Sequence, residues 1–535
     1  MRRPKPTPEA RIRAPVTPHQ EPRRFLMFRS FQPLLLCAFL LGGLGLIHLP
    51  AHAQPTRLTI ALGTAPQTLD PRFAVSPGER HLTELIYESL VTQNEALQWV
   101  PQLAERWELV RDTEYLVTLK PGVWFHDGTA FTAERVKAVF DALLEPSAPA
   151  RFQRLADLLA SCEVEDERTV RFFLHEPLPE SLFLSTLQVP IFKFRGTPNS
   201  KSGVLVGSGP FRQVSHNSAE LVFRRHWYYR DGSPDVKELH FQIVPEVETR
   251  IRRLLNGSID IVNNAFPIKE LAKFRTPTAQ SKFTLLEEIA ATYRYLVFNT
   301  EHPILQEVQV RQAIGRALHR EELVAFLTKN HARLASGVFP PEHAFHVTTQ
   351  NLVYAPESAV ALLEDAGFRL TEEQRFQLRL TTSNDKEQIR LARLIADQLA
   401  WVGIEVNVTP QSSGKFRNAL AGGDYDLAVL QDRVQGDPDV LRAFFHSSQT
   451  PEKGGRNFAR YRNLELDALL ESGRYEQNRA QRREIYQQVQ RMLAEALPHL
   501  PLWYGNNLAL VSRRVSGYRF HPAGDFHAFR TLRVN

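Results

Sequence analysis

The chain has 535 residues and a formal net charge of +6. At roughly 100–200 residues per domain, that length gives two to four domains with ample core. An apolar content of 43% and a charged content of 23% are those of an ordinary globular protein. They exclude wholesale disorder, a collagen-like chain and a polytopic membrane protein.

The basic excess is local. Residues 1–53 hold eight cations (Arg2, Arg3, Lys5, Arg11, Arg13, Arg23, Arg24, Arg29) and two acids, Glu9 and Glu21. Taking these from the 65 basic and 59 acidic residues of the whole chain leaves 57 of each. The remainder is electrically balanced, so composition gives no support for a nucleic-acid partner. Residues 34–47 (LLLCAFLLGGLGLI) form an unbroken apolar run of 14, short of the roughly 20 needed to span a membrane. The run follows Arg29 and precedes Pro50 and Ala51-His52-Ala53. Charged, apolar and small-residue regions in that order read as a secretory signal cleaved before Gln54. The signal proper takes 27–53, with Met27 as a start of ordinary length and 1–26 as a Pro/Arg-rich extension. Cys37 lies inside the apolar run rather than at its end, which argues against a lipid-anchored cysteine. The mature chain keeps only Cys162, so no internal disulfide is available. A free exported product fits a Gram-negative periplasm.

Alternation predicts a strand over 57–62 (RLTIAL). Leu82, Leu85, Ile86 and Leu90 predict a helix over 81–90. Strands follow at 115–119 and 123–125 around the turn Lys120-Pro121-Gly122, and Asp127-Gly128 marks a further turn. Thr132 stands as N-cap to a helix with Val136, Val139, Phe140 and Leu143 on one face. Another strand takes 170–174. Farther on, strands at 376–381, 404–408 and 425–430 alternate with helices at 389–401 and 416–421. That order implies a parallel sheet with right-handed crossovers. Ligands of such sheets gather past the carboxyl ends of the strands, here 381–384 and 431–439.

Catalytic signatures are missing. The chain has no H-E-x-x-H, no CxxC pair, no Walker A and no G-x-G-x-x-G after a strand. Ser413-Gly414-Lys415-Phe416 lacks the flanking residues of a phosphate loop, and Gly207-Ser208-Gly209-Pro210-Phe211 lacks the spacing of a nucleophile elbow. His126-Asp127 reads as a capped turn rather than a dyad, and Cys162 as a buried small residue. An exported, charge-balanced α/β chain without a nucleophile–base pair points to binding rather than to an enzyme.

A series of motifs sharpens this. Leu69-Asp70-Pro71 and Leu103-Ala104-Glu105-Arg106-Trp107 precede Leu119-Lys120-Pro121-Gly122-Val123-Trp124-Phe125-His126-Asp127-Gly128 and Phe131-Thr132-Ala133-Glu134. Gly207-Ser208-Gly209-Pro210-Phe211 follows, then Phe298-Asn299, Val310-Arg311-Gln312-Ala313 and Ala317-Leu318-His319-Arg320. Tyr354-Ala355-Pro356, Asp437-Pro438-Asp439, Arg456-Asn457, Tyr461-Arg462-Asn463 and Leu500-Pro501-Leu502-Trp503-Tyr504 complete the series. In this order over 58–520 the chain resembles the family 5 extracellular solute-binding proteins of ABC transporters, the group of the oligopeptide-, dipeptide- and nickel-binding proteins.

The resemblance implies an α/β, two-lobed periplasmic binding protein fold of type II, with an extra subdomain in the first lobe and a ligand cleft between the lobes. The first lobe would comprise 54–85, 203–292 and 508–535; the inserted subdomain 86–202; the second lobe 293–507. The implied function is capture of a peptide-like solute by hinge closure and delivery to an ABC permease at the inner membrane with its ATPase. No cofactor, catalytic residue, metal or nucleic acid is implied, and the protein would act as a monomer. The family's ligand contacts map to Val75, Ser76 and Pro77, and to the strip holding Asp432, Arg433 and Gln435. Peptide-binding relatives carry a Trp and then an Asp in that strip, the Asp pairing with the peptide α-amino group. Without gaps, Asp432 takes the Trp position and Gln435 the Asp position. Either Asp432 replaces that carboxylate through a shifted loop, or Gln435 offers neutral hydrogen bonds and the cargo lacks a free α-amino group. Arg433 suits bidentate binding of a carboxylate, whereas Asp437 and Asp439 suit loop capping. The alternatives are a metal chelate, an opine or a glycoside as cargo, or ligand sensing without transport. Amino-terminal sequencing of the exported protein should begin at Gln54; an intact 27–53 segment would refute the cleavable signal.

Overall fold

Arg57–Leu62 forms the predicted strand, its middle four residues buried, parallel to Glu238–Ile243 on one side and to Ile261–Asn263 on the other. The computed structural model describes residues 56–535 except 75, 150–151, 196–203, 350–352, 372–373, 435, 454 and 522–525. The predicted signal and its cleavage point lie outside the described residues. An eleven-stranded sheet runs in the order Phe211–His216, Glu220–Arg225, Glu238–Ile243, Arg57–Leu62, Ile261–Asn263, His499–Ser512, Phe283–Phe298, Leu427–Arg433, Phe376–Ser383, Ile404–Gln411, with Ala332–Leu334 beside His499–Ser512.

The predicted parallel unit is present: Phe376–Ser383 runs parallel to both Ile404–Gln411 and Leu427–Arg433. Helix Lys386–Ala400 crosses over it, capped by the Asp385 carboxylate and burying Leu391, Ala392, Ile395 and Leu399. Strand alternation divides the side chains between two cores. Leu296, Phe298, Leu427 and Val429 enter one; Tyr295, Val297 and Ala428 enter the other.

A separate antiparallel sheet runs Ala104–Arg111, Glu114–Leu119, Thr169–Leu174, Leu159–Asp166. Helix Ala133–Leu144 buries Val136, Val139, Phe140 and Leu143. This sheet has no private core. Phe140, Phe172 and Phe183 belong to one buried cluster with Leu58, Ile60 and Phe241 and with Phe526 and Phe529 near the carboxyl terminus.

Two predicted elements differ. The helix expected over 81–90 spans Pro77–Glu84. It ends there because the next carbonyls are used in tertiary pairing: Leu85 O accepts from Phe211 N and Ile86 O from Gly209 N. The strand expected at 123–125 reduces to one bridge, Trp124 with Ala130, around the turn at Gly128.

The glycines of Gly207-Ser208-Gly209-Pro210-Phe211 make that tertiary pairing possible. A Cβ on Gly207 would sit 1.9 Å from Ile86 O, and one on Gly209 2.6 Å from Leu85 O. Between them, Ser208 Oγ donates to the buried Glu88 carboxylate at 3.0 Å. Tyr229 Oη and Arg230 Nη1 donate to the same carboxylate at 2.9 and 2.8 Å. Three segments thus meet on one neutralised charge. Gly207→Ala should destabilise the chain by about 3 kcal/mol through backbone displacement; an unchanged urea midpoint would show that the approach is not constraining.

Candidate ligand cleft

Helix Pro77–Glu84 opens with a reciprocal cap. Ser76 Oγ accepts from Glu79 N at 3.3 Å, and the Glu79 carboxylate accepts from Ser76 N at 3.1 Å and Gln67 N at 2.8 Å. This capping box satisfies first-turn donors and ties the preceding loop to the helix. The exposed Ser76 hydroxyl is therefore engaged by the backbone, and Pro77 occupies the first helical turn. Val75 and Gln435 lie outside the described residues.

The far end of this helix meets the other predicted segment. His81 Nε2 lies 3.3 Å from Arg433 Nη2, joining positions 352 residues apart in sequence. Arg433 and Asp432 close the strand Leu427–Arg433, opposite Thr292 and Tyr293. Asp432 Oδ2 accepts from Tyr295 Oη at 2.6 Å, and Oδ1 pairs with the Arg456 guanidinium. Both carboxylate oxygens thus have donors within the protein. Arg456 also lies over Phe444, 4.7 Å from the ring centroid. Burial lowers the pKa of Arg80, as does the nearby Arg456, against Glu84 and Glu79. Guanidinium groups are thus present on both sides of this meeting point, Arg456 against Asp432 and Arg433 against His81, a chemistry suited to a ligand carboxylate or an amide oxygen.

The loop following this strand is fixed from several sides. Asp437 accepts from Arg482 at 2.6 and 2.8 Å, from Ser181 Oγ at 2.6 Å and from Asp439 N at 3.0 Å. Arg154 donates to Asp439 Oδ2 at 2.7 Å, and Gly436 O lies 3.1 Å from His343 Nε2. Asp437 caps its own loop while pairing across to Arg482. Of the other predicted segment, 381–384, Thr381 and Thr382 are fully buried. These two lie in the packed end of their strand rather than open to solvent, because the neighbouring strands Ile404–Gln411 and Leu427–Arg433 flank Phe376–Ser383.

Sequence reasoning missed Tyr295, His81, Ser181, Arg154 and Arg482 as neighbours of the strip. Arg456 lay within a noted motif, yet nothing in the sequence set it against Asp432. The suspected dyad is a turn. His126 Nε2 contacts Gly209 O at 2.9 Å, while Asp127 accepts from Lys193 and Thr129. Burial pushes the Cys162 thiol up to about 12, which keeps it protonated. Among the described residues no group of three or more His, Cys, Asp or Glu side chains is placed to hold a metal ion, and no helix is long and apolar enough to cross a membrane.

A sheet continuous between two sets of cores, with distant segments converging at its strand ends, defines an α/β, two-lobed fold of the periplasmic binding protein kind. Residues 98–453 match the family model of the bacterial extracellular solute-binding proteins, family 5 (middle), and the chain belongs to that family. Heme-binding protein A of Haemophilus influenzae is 28% identical over 471 residues, 81% of this chain and 84% of that protein. Di/tripeptide-binding protein 2 of Pseudomonas aeruginosa is 27% identical over 512 residues, 89% and 95% of the two chains. The structure of the oligopeptide-binding protein AppA of Bacillus subtilis, in complex with a nonapeptide, superposes with a TM-score of 0.77 at 22% identity. That match covers 90% of this chain and 100% of the other.

Three histidines, two of them buried and His126 partly so, give the fold an acid limit. Burial pushes His126 down to about 3, His343 to about 4 and His499 to about 3. An unfolded histidine titrates near 6.5, so below that pH the unfolded chain binds more protons than the native one and stability falls. The loss continues until the folded values are reached. At pH 4.5 it amounts to about 2–3 kcal/mol per histidine. Denaturant titrations between pH 7 and 4.5 should show this slope, shallower in His499→Phe; a flat profile would contradict it.

Proposed function

We propose that the chain is the periplasmic substrate-binding component of an ABC importer. It captures a peptide-like solute by hinge closure and delivers it to an inner-membrane permease with its ATPase. It works as a monomer, exported by a cleaved signal, and changes no covalent bond. The observation that carries this reading is the meeting of the Ser76-capped helix with the strand end at Asp432 and Arg433, through the His81–Arg433 contact. Two halves of the molecule present polar groups to one place, as a clamp requires.

We assign 54–85, 203–292 and 508–535 to the first lobe, 86–202 to its inserted subdomain and 293–507 to the second. The boundaries at 292 and 507 fall inside the strands Phe283–Phe298 and His499–Ser512. Their pairing shifts register between Ile289 and Tyr293, and Gly505 lies opposite the irregularity, 3.8 Å from Thr292 Cβ were it to carry a Cβ. An irregular ladder at a lobe boundary is a natural place for rotation. The ligand-binding residues on this reading are Val75, Ser76, Pro77, Asp432, Arg433 and Gln435. Solutes of this class bind as an added strand or in wet pockets.

A second reading, a non-peptide solute such as a carboxylate-bearing chelate, is favoured by the state of Asp432. A carboxylate already holding Tyr295 and Arg456 is a poor partner for a free α-amino group. The two relatives named above differ in cargo in the same way, one named for heme and the other for di- and tripeptides.

Calorimetry against di- and tripeptides should give dissociation constants between about 10 nM and the micromolar range, or about −8 to −11 kcal/mol. Arg433→Ala and Asp432→Ala should weaken binding about tenfold or more, beyond the effect of Asp437→Ala, whose main cost falls on stability. Equal affinities in all three variants would move the site elsewhere. Binding of carboxylate-bearing chelates with no peptide bound would establish the second reading.

A further inference from the structure

We propose a second small-molecule site, separate from the cleft, that takes a planar aromatic anion: its ring lies against Trp124, Trp227 and Tyr228, and its carboxylate is held by Arg212 and Arg225. The site is a cavity of about 660 Å³ where the turn after Trp124 meets the strands Phe211–His216 and Glu220–Arg225. That volume falls in the range of pockets that enclose small organic ligands. None of its lining residues belongs to the cleft.

Three aromatic side chains line it yet remain open to solvent: Trp124 is 44% exposed, Trp227 60% and Tyr228 80%. Single exposed aromatics are unremarkable, but three around one concavity offer a ligand several partly exposed ring surfaces at once. The charge pattern is independent of that. Arg224, one residue away, pairs with Glu238, whereas among the described residues neither Arg212 nor Arg225 has an acidic partner. Asp127, the nearby acid, is taken by Lys193. Arg225 stacks over Trp227, 3.9 Å from the ring centroid, and donates Nη1 to Pro234 O at 2.8 Å; its buried Nε has no protein partner. This guanidinium is already held flat against an indole, so an incoming anion need not order it. A third polar group waits beside it. His226 is 7% exposed, and its buried Nδ1 has no protein partner. Its ring meets that of His126 edge-on at 4.9 Å. Burial lowers the pKa of His226, against backbone hydrogen bonds with Gly209 and Ser208 and with Arg212 acting in the same sense as burial.

An aromatic carboxylate satisfies all these features together. Its ring covers the exposed indoles, and its two oxygens accept from guanidinium groups at the edge of a partly desolvated cavity, where charge-assisted hydrogen bonds are strongest. A neutral aromatic of the same shape gains only the stacking.

The test is calorimetry on the purified chain with 2-naphthoate and its neutral counterpart 2-naphthamide. The expected result is saturable one-to-one binding of the naphthoate, with the amide weaker by about tenfold or more. Arg212→Gln and Trp227→Ala should each weaken the naphthoate by about tenfold or more, while Arg433→Ala in the cleft leaves it unchanged. Absence of saturable binding, equal binding of acid and amide, or loss of binding in Arg433→Ala with Arg212→Gln unaffected would overturn the assignment. The acid–amide contrast in the unmodified chain decides the matter even if a variant fails to fold. The Arg433→Ala arm separates failure of this site from failure of the cleft reading.

Discussion

The strands Phe283–Phe298 and His499–Ser512 pair along most of their length, from Phe283 with Ser512 to Val297 with His499. They form the middle of the large sheet, with Ile261–Asn263 on one flank and Leu427–Arg433 on the other. The remaining strands of the large sheet extend outward from this ladder on both sides. Backbone pairing of that length resists shear, so relative movement of the two sides concentrates where the register breaks, between Ile289 and Tyr293. The strip carrying Asp432 and Arg433 pairs directly with residues just past that break. Asp432 and Arg433 therefore sit next to the irregular part of the ladder, with the Ser76-capped helix beside them.

Buried ion pairs set the limits of such movement. Glu88 with Arg230 fixes the turn around Ser208, and Asp437 with Arg482 fixes the loop after the strip. In both pairs the side chains are nearly inaccessible, at 0% and 8% for the first and 4% and 3% for the second. Removing one partner of such a pair leaves an uncompensated charge and costs about 3–5 kcal/mol. Ser181 and Arg154 extend the second network from the antiparallel-sheet region to the 436–439 loop. The 436–439 loop is thus held by charge-assisted hydrogen bonds from several elements.

The legibility of the chain follows from the range of each interaction. Strand 57–62 and the unit at 376–430 show in the sequence because alternation and helical spacing are local consequences of burial. The end of helix 77–84 is not legible, because it is decided more than a hundred residues away, where Phe211 N and Gly209 N take the Leu85 and Ile86 carbonyls. The strip at 432–435 could be reached through motif offset. The partners of Asp432 could not, since Tyr295 reaches it diagonally across a ladder whose register places Tyr293 opposite. A sequence shows which face a residue occupies, but not which residue of the next strand shares it.

Charges in this protein fall into two kinds. Two buried carboxylates are overdetermined: Glu88 has three donors and Asp437 four. Such groups have no capacity left for a ligand and act as fixed points. The guanidinium at the Trp227 pocket is different, since Arg225 lies against an indole rather than a carboxylate. A group that is ordered but not neutralised retains affinity for an incoming anion without the entropy loss of being immobilised. Asp432 stands between the two kinds: Tyr295 and Arg456 hold it in place, while the remaining lone pairs of its two oxygens keep acceptor capacity.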